Sequence, residues 1–195
     1  MEWFKEWFNS KYYHILYKKR THSEAAYLIN NLLKKIKPSK NSFFLDLGCG
    51  SGRHSIYLNE KGFRVDGFDV SKESLKRANQ YQNKNLNFYL KDMRYFNTKN
   101  KYDFILNLFT SFGYFETNDE NKKVFQNVKN SLKKDGCFIL DYLNSKKVIN
   151  ELQPFETKNI NNIEFEIHKR HDSHFVYKEI YVIDKKNKYN FTEKV

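Results

Sequence analysis

The 195-residue sequence lacks the many cysteines and the long apolar runs that mark disulfide-rich secreted proteins and membrane spans. Its two cysteines, Cys49 and Cys137, give no disulfide framework, and a reduced, cytoplasmic setting is the default for such a chain. No apolar stretch approaches the roughly 20 residues that cross a bilayer. The acid-containing N-terminus also lacks the apolar core of a signal peptide. We therefore expect a cytoplasmic protein with no membrane partner.

Acidic residues are too few to balance the basic ones, and the net charge is +12 at pH 7. Such an excess raises the question of a nucleic-acid partner. Arginine is better suited than lysine to bind bases and phosphates, yet only six of the 35 basic residues are arginine. The lysines are scattered among many asparagines. We do not expect a nucleic-acid partner, although an RNA acceptor is kept below as an alternative.

Glycine is also scarce, at seven residues, but three glycines alternate within one loop. An apolar run, Phe43–Leu47, predicts a buried strand, and the loop Gly48–Gly52 follows it. A helix-compatible segment leads to a second predicted strand, Phe63–Phe68, which ends in Asp69. Together these features predict a nucleotide-binding βαβ unit. Alternate glycines let a ligand approach the backbone, and Asp69 stands where such folds place an acid for ribose hydroxyls.

The spacing of the glycines separates two classes of nucleotide site. The dinucleotide pattern G-x-G-x-x-G needs glycine at position 53, where Arg53 stands. The pattern present is G-x-G-x-G, preceded by Leu45-Asp46-Leu47. In this the sequence closely resembles class I S-adenosylmethionine-dependent methyltransferases, and more narrowly the small bacterial ones with GCGTGRHS-like loops. The resemblance implies an enzyme that uses S-adenosyl-L-methionine as its cofactor.

Helices and strands alternate through most of the chain. Capping-box spacing predicts helices after Thr21 and Thr117, the first closed by Pro38 and the second ending at Asp135-Gly136. Ser71 caps another. The predicted strands are Phe43–Leu47, Phe63–Phe68, Asn87–Leu90, Tyr102–Leu108 and Cys137–Tyr142. Strands separated by helices imply an α/β fold, a Rossmann-like three-layer parallel sheet with helices on both faces.

After about Gln153 the apolar pattern changes to period two. Ile163–Ile167, parts of Phe175–Ile183 and Lys188–Thr192 predict a C-terminal antiparallel β meander. We expect residues 1–152 to form the S-adenosylmethionine-binding domain with N-terminal lid helices. Residues 153–195 would form the meander of the same domain, a cover on the substrate side.

The chain stops soon after the predicted meander. Members of the resembled family usually continue into further sheet strands, so the final sheet strands are expected to be missing and the fifth strand to be left as an edge. An apolar unpaired edge invites association. We expect either a homodimer that covers this edge or a shortened chain with reduced activity.

Several residues take their expected roles from the resemblance. Asp92 would bind the adenine amino group with Met93 beside the ring, and Asp46 would help hold the methionine portion. The segment around Tyr13 and Tyr17 is similar to a YYDxLY-like lid and departs from it at His14, where an acid is common. The expected cofactor-binding residues are Tyr13, Tyr17, Asp46, Gly48, Cys49, Gly50, Gly52, Arg53, Asp69, Val70, Asp92, Met93, Asn107 and Leu108.

The segment Asn107–Tyr114 resembles the LFTSFGYF-type loop of small-molecule methyltransferases. Its rings, Phe109 and Phe112, are either an aromatic wall that stabilises a sulfonium through cation–π attraction or ordinary core residues. No catalytic residue is assigned; the candidates are His14, Tyr17 and Tyr114. The Asn-Pro-Pro-Tyr motif is absent, which disfavours DNA-base and protein-glutamine acceptors.

Other classes of site find little support in the sequence. His168, His171 and His174 are irregularly spaced and lack acid or cysteine partners, so no metal site is expected. A G-x-S-x-G nucleophile elbow is absent. We expect methyl transfer to a small-molecule O, N or S acceptor; the alternatives are an RNA methyltransferase and a non-catalytic cofactor-binding protein. Substrate contacts lie in variable loops, so the sequence does not name the acceptor.

Overall fold

Seven α-helices and nine strands make up residues 2–195, the part of the chain that this computed structural model describes. The helices are α1 (Trp3–Asn9), α2 (Lys11–Leu16), α3 (His22–Ile36), α4 (Arg53–Glu60), α5 (Lys72–Ala78), α6 (Asn118–Ser131) and α7 (Ser145–Asn150). The strands are β1 (Phe43–Leu47), β2 (Arg64–Asp69), β3 (Leu86–Leu90), β4 (Tyr102–Asn107), β5 (Leu132–Leu140), β6 (Phe155–Ile160), β7 (Ile163–His171), β8 (Val176–Asp184) and β9 (Asn187–Lys194). Across residues 2–195, none of the helices has both the length and the apolar character that crossing a membrane requires.

The contacts divide the chain into two compact units. One unit is Arg20–Tyr142, and the other combines the segment that ends at Lys19 with Leu143–Val195. The first contains the parallel sheet and the second contains α1, α2 and the meander. The expected division into residues 1–152 and 153–195 partitions the chain differently and stays a prediction.

The five-stranded sheet has the order β3-β2-β1-β4-β5, and all of its neighbouring strands are parallel. All five residues of the central strand β1 are buried, as a run of mostly apolar residues covered on both faces should be. Ile29 of α3 and Leu58 of α4 share one core cluster with Phe44 of β1. Burying such a side chain contributes roughly 1.5–3 kcal/mol. This parallel sheet with flanking helices confirms the predicted Rossmann-like α/β fold.

The start of β5 differs from the sequence prediction. Helix α6 ends at Ser131 and the strand begins at Leu132, whereas the prediction placed the break at Asp135-Gly136 and the strand at Cys137. Opposite β4 the pairing runs irregularly, because Tyr102 faces Leu132 and Phe104 faces Cys137. Four residues of β5 lie opposite the single residue between Tyr102 and Phe104, so the strand is irregular there, and Asp135 within this stretch has a left-handed φ of 66°. The two turn residues therefore lie inside a strand. β5 is at one edge of this sheet, and the homodimer expected there stays a prediction.

The four-stranded sheet has the order β6-β7-β8-β9, and its pairs are antiparallel, as the period-two pattern predicts. Strand β6 was not predicted. Its residues are mostly exposed and do not alternate between buried and exposed, so the sequence carries no period-two signal there. Trp7 of α1 is fully buried in one cluster with Phe165 of β7 and Val182 of β8. The aromatic N-terminal segment thus forms part of this unit's core.

Candidate functional site

The glycine loop between β1 and α4 uses its three glycines in two ways. All three have left-handed backbones, with φ of 83° at Gly48, 55° at Gly50 and 83° at Gly52. A Cβ at Gly48 would lie 2.7 Å from the Cβ of Ser111, and one at Gly52 would lie 2.8 Å from the ring of Phe88. A Cβ at Gly50 would meet nothing within 4 Å. Gly48 and Gly52 therefore allow close packing, while Gly50 exposes bare backbone to open space.

Asp69 joins the end of β2 to this loop. Its Oδ2 accepts a bond of 2.7 Å from the backbone N–H of Gly50, and its Oδ1 accepts one of 2.8 Å from Ser71. Burial raises the pKa of Asp69, and backbone bonds from Ser71, Gly50 and Val70 oppose that rise. An ionised carboxylate offers about four lone-pair sites. The carboxylate thus keeps acceptor capacity for hydroxyl groups.

Two buried acceptors lie at the carboxyl ends of the adjacent strands β1 and β4. Asp46 is 1% exposed and accepts a bond of 2.6 Å from the Ser55 hydroxyl. Burial raises its pKa to about 6; the Asp69 charge adds to the rise, while Ser55 and Arg53 oppose it. Asn107 donates to the carbonyl of Leu47 at 2.7 Å, and its Oδ1 is buried with no partner among residues 2–195. Both groups suit a donor that carries positive charge.

The loop after β4 is held in an unusual conformation. Phe109 and Thr110 both have left-handed backbones, with φ of 61° and 55°, which costs energy for residues with a Cβ. Asp141, the residue after β5, holds both backbones in place. Its Oδ2 accepts a hydrogen bond of 2.9 Å from the N–H of Phe109, and its carbonyl accepts one of 3.1 Å from the N–H of Thr110. Tyr114 donates its hydroxyl proton to the carbonyl of Thr110. Strain of this kind clusters at functional sites.

Two arginine side chains lie over the exposed ring of Phe109. The guanidinium carbons of Arg20 and Arg53 lie 4.7 Å and 4.6 Å from its centroid. Arg53 also pairs with Glu24 at 2.7 Å. The ring therefore engages two cations of this chain, and the sulfonium wall that the sequence suggested as one alternative stays a prediction. Arg20 follows the lid-like segment in the sequence, but its contact with Phe109 was not predicted, because it arises only through the fold.

Asp92, the predicted partner of the adenine amino group, is bound by a buried arginine. Arg94 donates to Asp92 from Nε at 3.1 Å and from Nη2 at 2.7 Å. Met93 reaches the glycine loop, since its Cε would lie 3.6 Å from a Cβ at Gly48. Glu120 completes the contact with Arg94 from the first turn of α6. Sequence analysis missed Arg94 and its contact with Glu120, because the two residues are 26 positions apart in the chain.

Two more of the expected residues, Cys49 and Leu108, are buried, and so is His54 at the start of α4. Cys49 is 6% exposed, and burial raises the pKa of its thiol well above the ordinary value, so it is no reactive thiolate. Leu108 is 4% exposed. His54 is buried, and desolvation with the Arg53 charge lowers its pKa to about 3. It is therefore neutral at physiological pH and suits a structural or orienting role.

The predicted lid residues lie in the other unit, where Tyr17 is part of a polar network. Its hydroxyl donates to Oε1 of Glu193 at 2.7 Å and accepts from Lys178 at 2.7 Å. Tyr13 packs edge-on against Tyr17, with ring centroids 5.2 Å apart, and His14 lies 5.2 Å from Tyr13. Their expected roles toward the cofactor and the acceptor stay predictions.

The histidines of the meander do not belong to a cluster of side chains that could bind a metal ion. Over the described part of the chain, three or more His, Cys, Asp or Glu side chains nowhere come together as a possible metal site. His168 instead packs against the rings of Phe155 and Tyr181, with centroid distances of 5.0 Å and 5.5 Å, tilted toward the first and edge-on to the second.

A model of the methyltransferase domain family matches residues 38–193, most of the chain. The chain belongs to the class I S-adenosylmethionine-dependent methyltransferases. This confirms the resemblance given by the glycine loop. The family's cofactor is S-adenosylmethionine.

Individual methyltransferases resemble parts of the chain. A putative methyltransferase, YqeM of Bacillus subtilis, is 35% identical over 107 residues, 53% of this chain and 43% of that protein. A glycine/sarcosine N-methyltransferase of Aphanothece halophytica is 29% identical over 137 residues, 68% of this chain and 50% of that protein. The chain thus spans half or less of the length of these curated relatives. The sugar N-methyltransferase KedS8 from Streptoalloteichus has the same fold, with a TM-score of 0.73, 16% identity and coverage of 94% of this chain and 76% of that one.

The residues present fit the family's cofactor. Gly50 offers open backbone, Asp69 offers carboxylate oxygens for ribose hydroxyls, and the Asp46 carboxylate and the buried amide oxygen of Asn107 can accept from a cationic donor such as an α-ammonium group. Such a donor would remove the cost of an unpaired buried acceptor.

Proposed function

We propose that this chain transfers the methyl group of S-adenosylmethionine to the oxygen, nitrogen or sulfur of a small molecule. The observation that carries the proposal is the pair of buried acceptors, Asp46 and Asn107, at the ends of adjacent strands, together with the open backbone of Gly50 in the loop that follows β1. Relatives and structural neighbours named for glycine and sugar acceptors support the small-molecule class. Because those named acceptors differ in chemistry, the proposal covers oxygen, nitrogen and sulfur acceptors alike.

Each part of the site has a proposed task. Asp69 accepts hydrogen bonds from the ribose hydroxyls, and Asp46 with Asn107 accepts them from the ammonium group. The guanidinium groups of Arg20 and Arg53, gathered at the exposed Phe109, offer a charge complement for the carboxylate of the methionine portion. When bound, S-adenosylmethionine supplies a methyl group on a sulfonium, already activated for displacement.

The chain's contribution to the reaction is mainly alignment. When the cofactor and the acceptor are held in one orientation, a bimolecular step becomes effectively unimolecular. The exclusion of water also strengthens the polar contacts in the site. A general base is needed only when the acceptor must lose a proton. The hydroxyl protons of Tyr17 and Tyr114 are already donated, to Glu193 and to the carbonyl of Thr110. These bonds favour an acceptor that attacks without a tyrosine base, such as a neutral amine.

A methyl-transfer assay tests the proposal. The protein is incubated with S-adenosylmethionine tritiated on the methyl group and with either a metabolite extract or total RNA. Transfer to low-molecular-weight products, lost in Asp69→Ala, is the expected result. Transfer to RNA that falls steeply with salt would support the RNA alternative, to which the charge of +12 gives some weight. Binding of the cofactor without transfer to either pool would support the non-catalytic alternative.

A further inference from the structure

Arg94 lies against the acid that the resemblance assigns to adenine. Its side chain is 3% exposed. Its Nε and Nη2 donate to the two oxygens of Asp92 at 3.1 Å and 2.7 Å, and its backbone N–H donates to Oδ1 at 2.9 Å. Two bonds from a planar guanidinium fix the plane of a carboxylate as well as its position. The orientation of the Asp92 carboxylate therefore depends on Arg94.

The far side of the same guanidinium is fixed by the first turn of α6. Its Nη1 donates to Oε1 of Glu120. The Oε2 of Glu120 accepts from the N–H and the hydroxyl of Thr117 at 3.2 Å and 3.0 Å, in the helix's capping box. The ring of Phe115 lies 4.5 Å from the guanidinium carbon. With acids on two sides and a ring below it, the guanidinium has little freedom to rotate.

We propose that Arg94 is a positioning residue that sets the selectivity for adenine. It holds the Asp92 carboxylate in the orientation that accepts a hydrogen bond from the 6-amino group, and Glu120 holds Arg94. The inference rests on the proposed function, because it requires the adenosyl group in this site. Arg94 itself does not contact the adenine base in the proposed arrangement. Without the two guanidinium bonds the backbone N–H of residue 94 still holds Oδ1, but the carboxylate can rotate about that bond and loses most of its preference for a donor at that place.

Two ligands that differ only at the 6-position of the base test the proposal. One is S-adenosylhomocysteine; the other is its 6-deamino analogue, in which purine replaces adenine. Calorimetry on the wild-type chain should give roughly ten- to 100-fold tighter binding of S-adenosylhomocysteine, the range for a hydrogen bond to a charged group. In Arg94→Met that ratio should fall toward one, because the affinity for S-adenosylhomocysteine drops and that for the analogue barely changes.

Three further variants separate positioning from general damage. Arg94→Lys keeps the positive charge but not the two fixed N–H donors of the guanidinium, and it should lose most of the selectivity. Glu120→Gln preserves a capping side chain and should lose part of it. Arg77→Met, on the exposed part of α5, removes an arginine elsewhere and should leave both affinities unchanged. If Arg94→Met does not fold, as thermal unfolding would show, Arg94→Lys and Glu120→Gln carry the test.

The outcomes distinguish this inference from the proposed function. An equal loss of affinity for both ligands in the Arg94 variants would show a merely structural role and overturn the inference. Full selectivity retained in those variants would overturn it too. If the wild-type chain binds neither ligand, the proposed function fails and the inference with it. Loss of selectivity with unchanged binding of the analogue supports both.

Discussion

The Oδ2 atom of Asp69 accepts a hydrogen bond of 2.7 Å from the backbone N–H of Gly50. The bond connects the end of β2 to the loop residue that faces open space. The acid proposed to bind ribose therefore also shapes the backbone over which the ligand would lie. Changes at either residue should weaken ligand binding, but for different reasons.

Replacing Asp69 should weaken binding of S-adenosylhomocysteine. Asp69→Ala removes the acceptor for the ribose hydroxyls and the anchor of Gly50. Each lost bond to a charged group is worth roughly 1.5–3 kcal/mol, so we expect a loss of about tenfold or more in calorimetric affinity. Asp119→Ala, whose side chain is 83% exposed on α6, is the control and should bind as the wild type does. Unchanged affinity in Asp69→Ala would refute the proposed ribose contact, and preferential binding of NAD would refute the cofactor.

Gly50 and Gly62 form a matched pair for a test of the open loop. Both have positive φ, 55° and 93°, and a Cβ at either would meet nothing within 4 Å. Alanine at each should lower the free energy of unfolding by about 1–2 kcal/mol through backbone strain alone. Only Gly50→Ala should also weaken binding of S-adenosylhomocysteine, because its methyl group enters the proposed site. Equal affinities in the two variants would contradict that placement.

The sequence predicted best the features that depend on neighbouring residues. The unit from β1 to Asp69 and the capping box of Thr117 with Glu120 are local patterns, and the structure contains them. The predicted start of β5 was wrong, because an irregular stretch that contains Asp135 and Gly136 belongs to the strand. A turn signal does not distinguish a chain reversal from an irregular stretch within a strand.

Contacts between distant residues could not be predicted in this way. Arg94 and Glu120 are 26 positions apart, and Arg20 meets Phe109 from the start of the parallel-sheet unit. The local pattern does not predict these contacts, since an arginine needs acids or rings as partners that only the fold assembles. The Glu120 carboxylate gives a further example, because the capping pattern predicts its bonds to Thr117 but not its bond to Arg94.

Asp46 should make the stability of the chain depend on pH. Its pKa in the folded protein is raised to about 6 by burial, so the folded state binds this proton more tightly than the unfolded state does. The ionisation of Asp46 therefore lowers the free energy of unfolding. The full loss is present above about pH 6, and none of it is present below about pH 4, where Asp46 is protonated in both states. Asp46→Asn should raise the free energy of unfolding by up to about 3 kcal/mol above that window and leave it nearly unchanged below it. Urea unfolding at several pH values measures the difference; a gain that is constant with pH would argue against this origin.

The same carboxylate should make ligand binding depend on pH in the opposite sense. A cationic ammonium group favours ionised Asp46, so the affinity for S-adenosylhomocysteine should fall as the pH drops below about 6. In Asp46→Asn the affinity should be lower above that pH and should lose this dependence. Calorimetry across the range, with Asp119→Ala as a surface control, gives both curves. A wild-type affinity that does not change with pH would contradict the proposed contact.

Glu193 should stabilise the unit that contains the meander. Its carboxylate accepts from Trp7 at 2.7 Å, from Tyr17 at 2.7 Å and from Lys178 at 2.8 Å. Glu193→Ala leaves three donors without this acceptor and should cost about 3 kcal/mol, the lower end for breaking a buried ion pair, because both charges keep some exposure. Glu164→Ala, at an exposed position of β7, should change the stability little.

The pH dependence of that loss identifies its cause. Burial raises the pKa of Glu193, but Lys178, Tyr17 and Trp7 outweigh that effect and leave the pKa lowered. A lowered pKa gives stability that is present above the unfolded value of about 4.5 and is lost as the pH falls through the folded value. The difference in unfolding free energy between Glu193→Ala and the wild type should therefore be largest near neutral pH and shrink in acid. If the difference stays constant down to acid pH, packing rather than the charge network explains it.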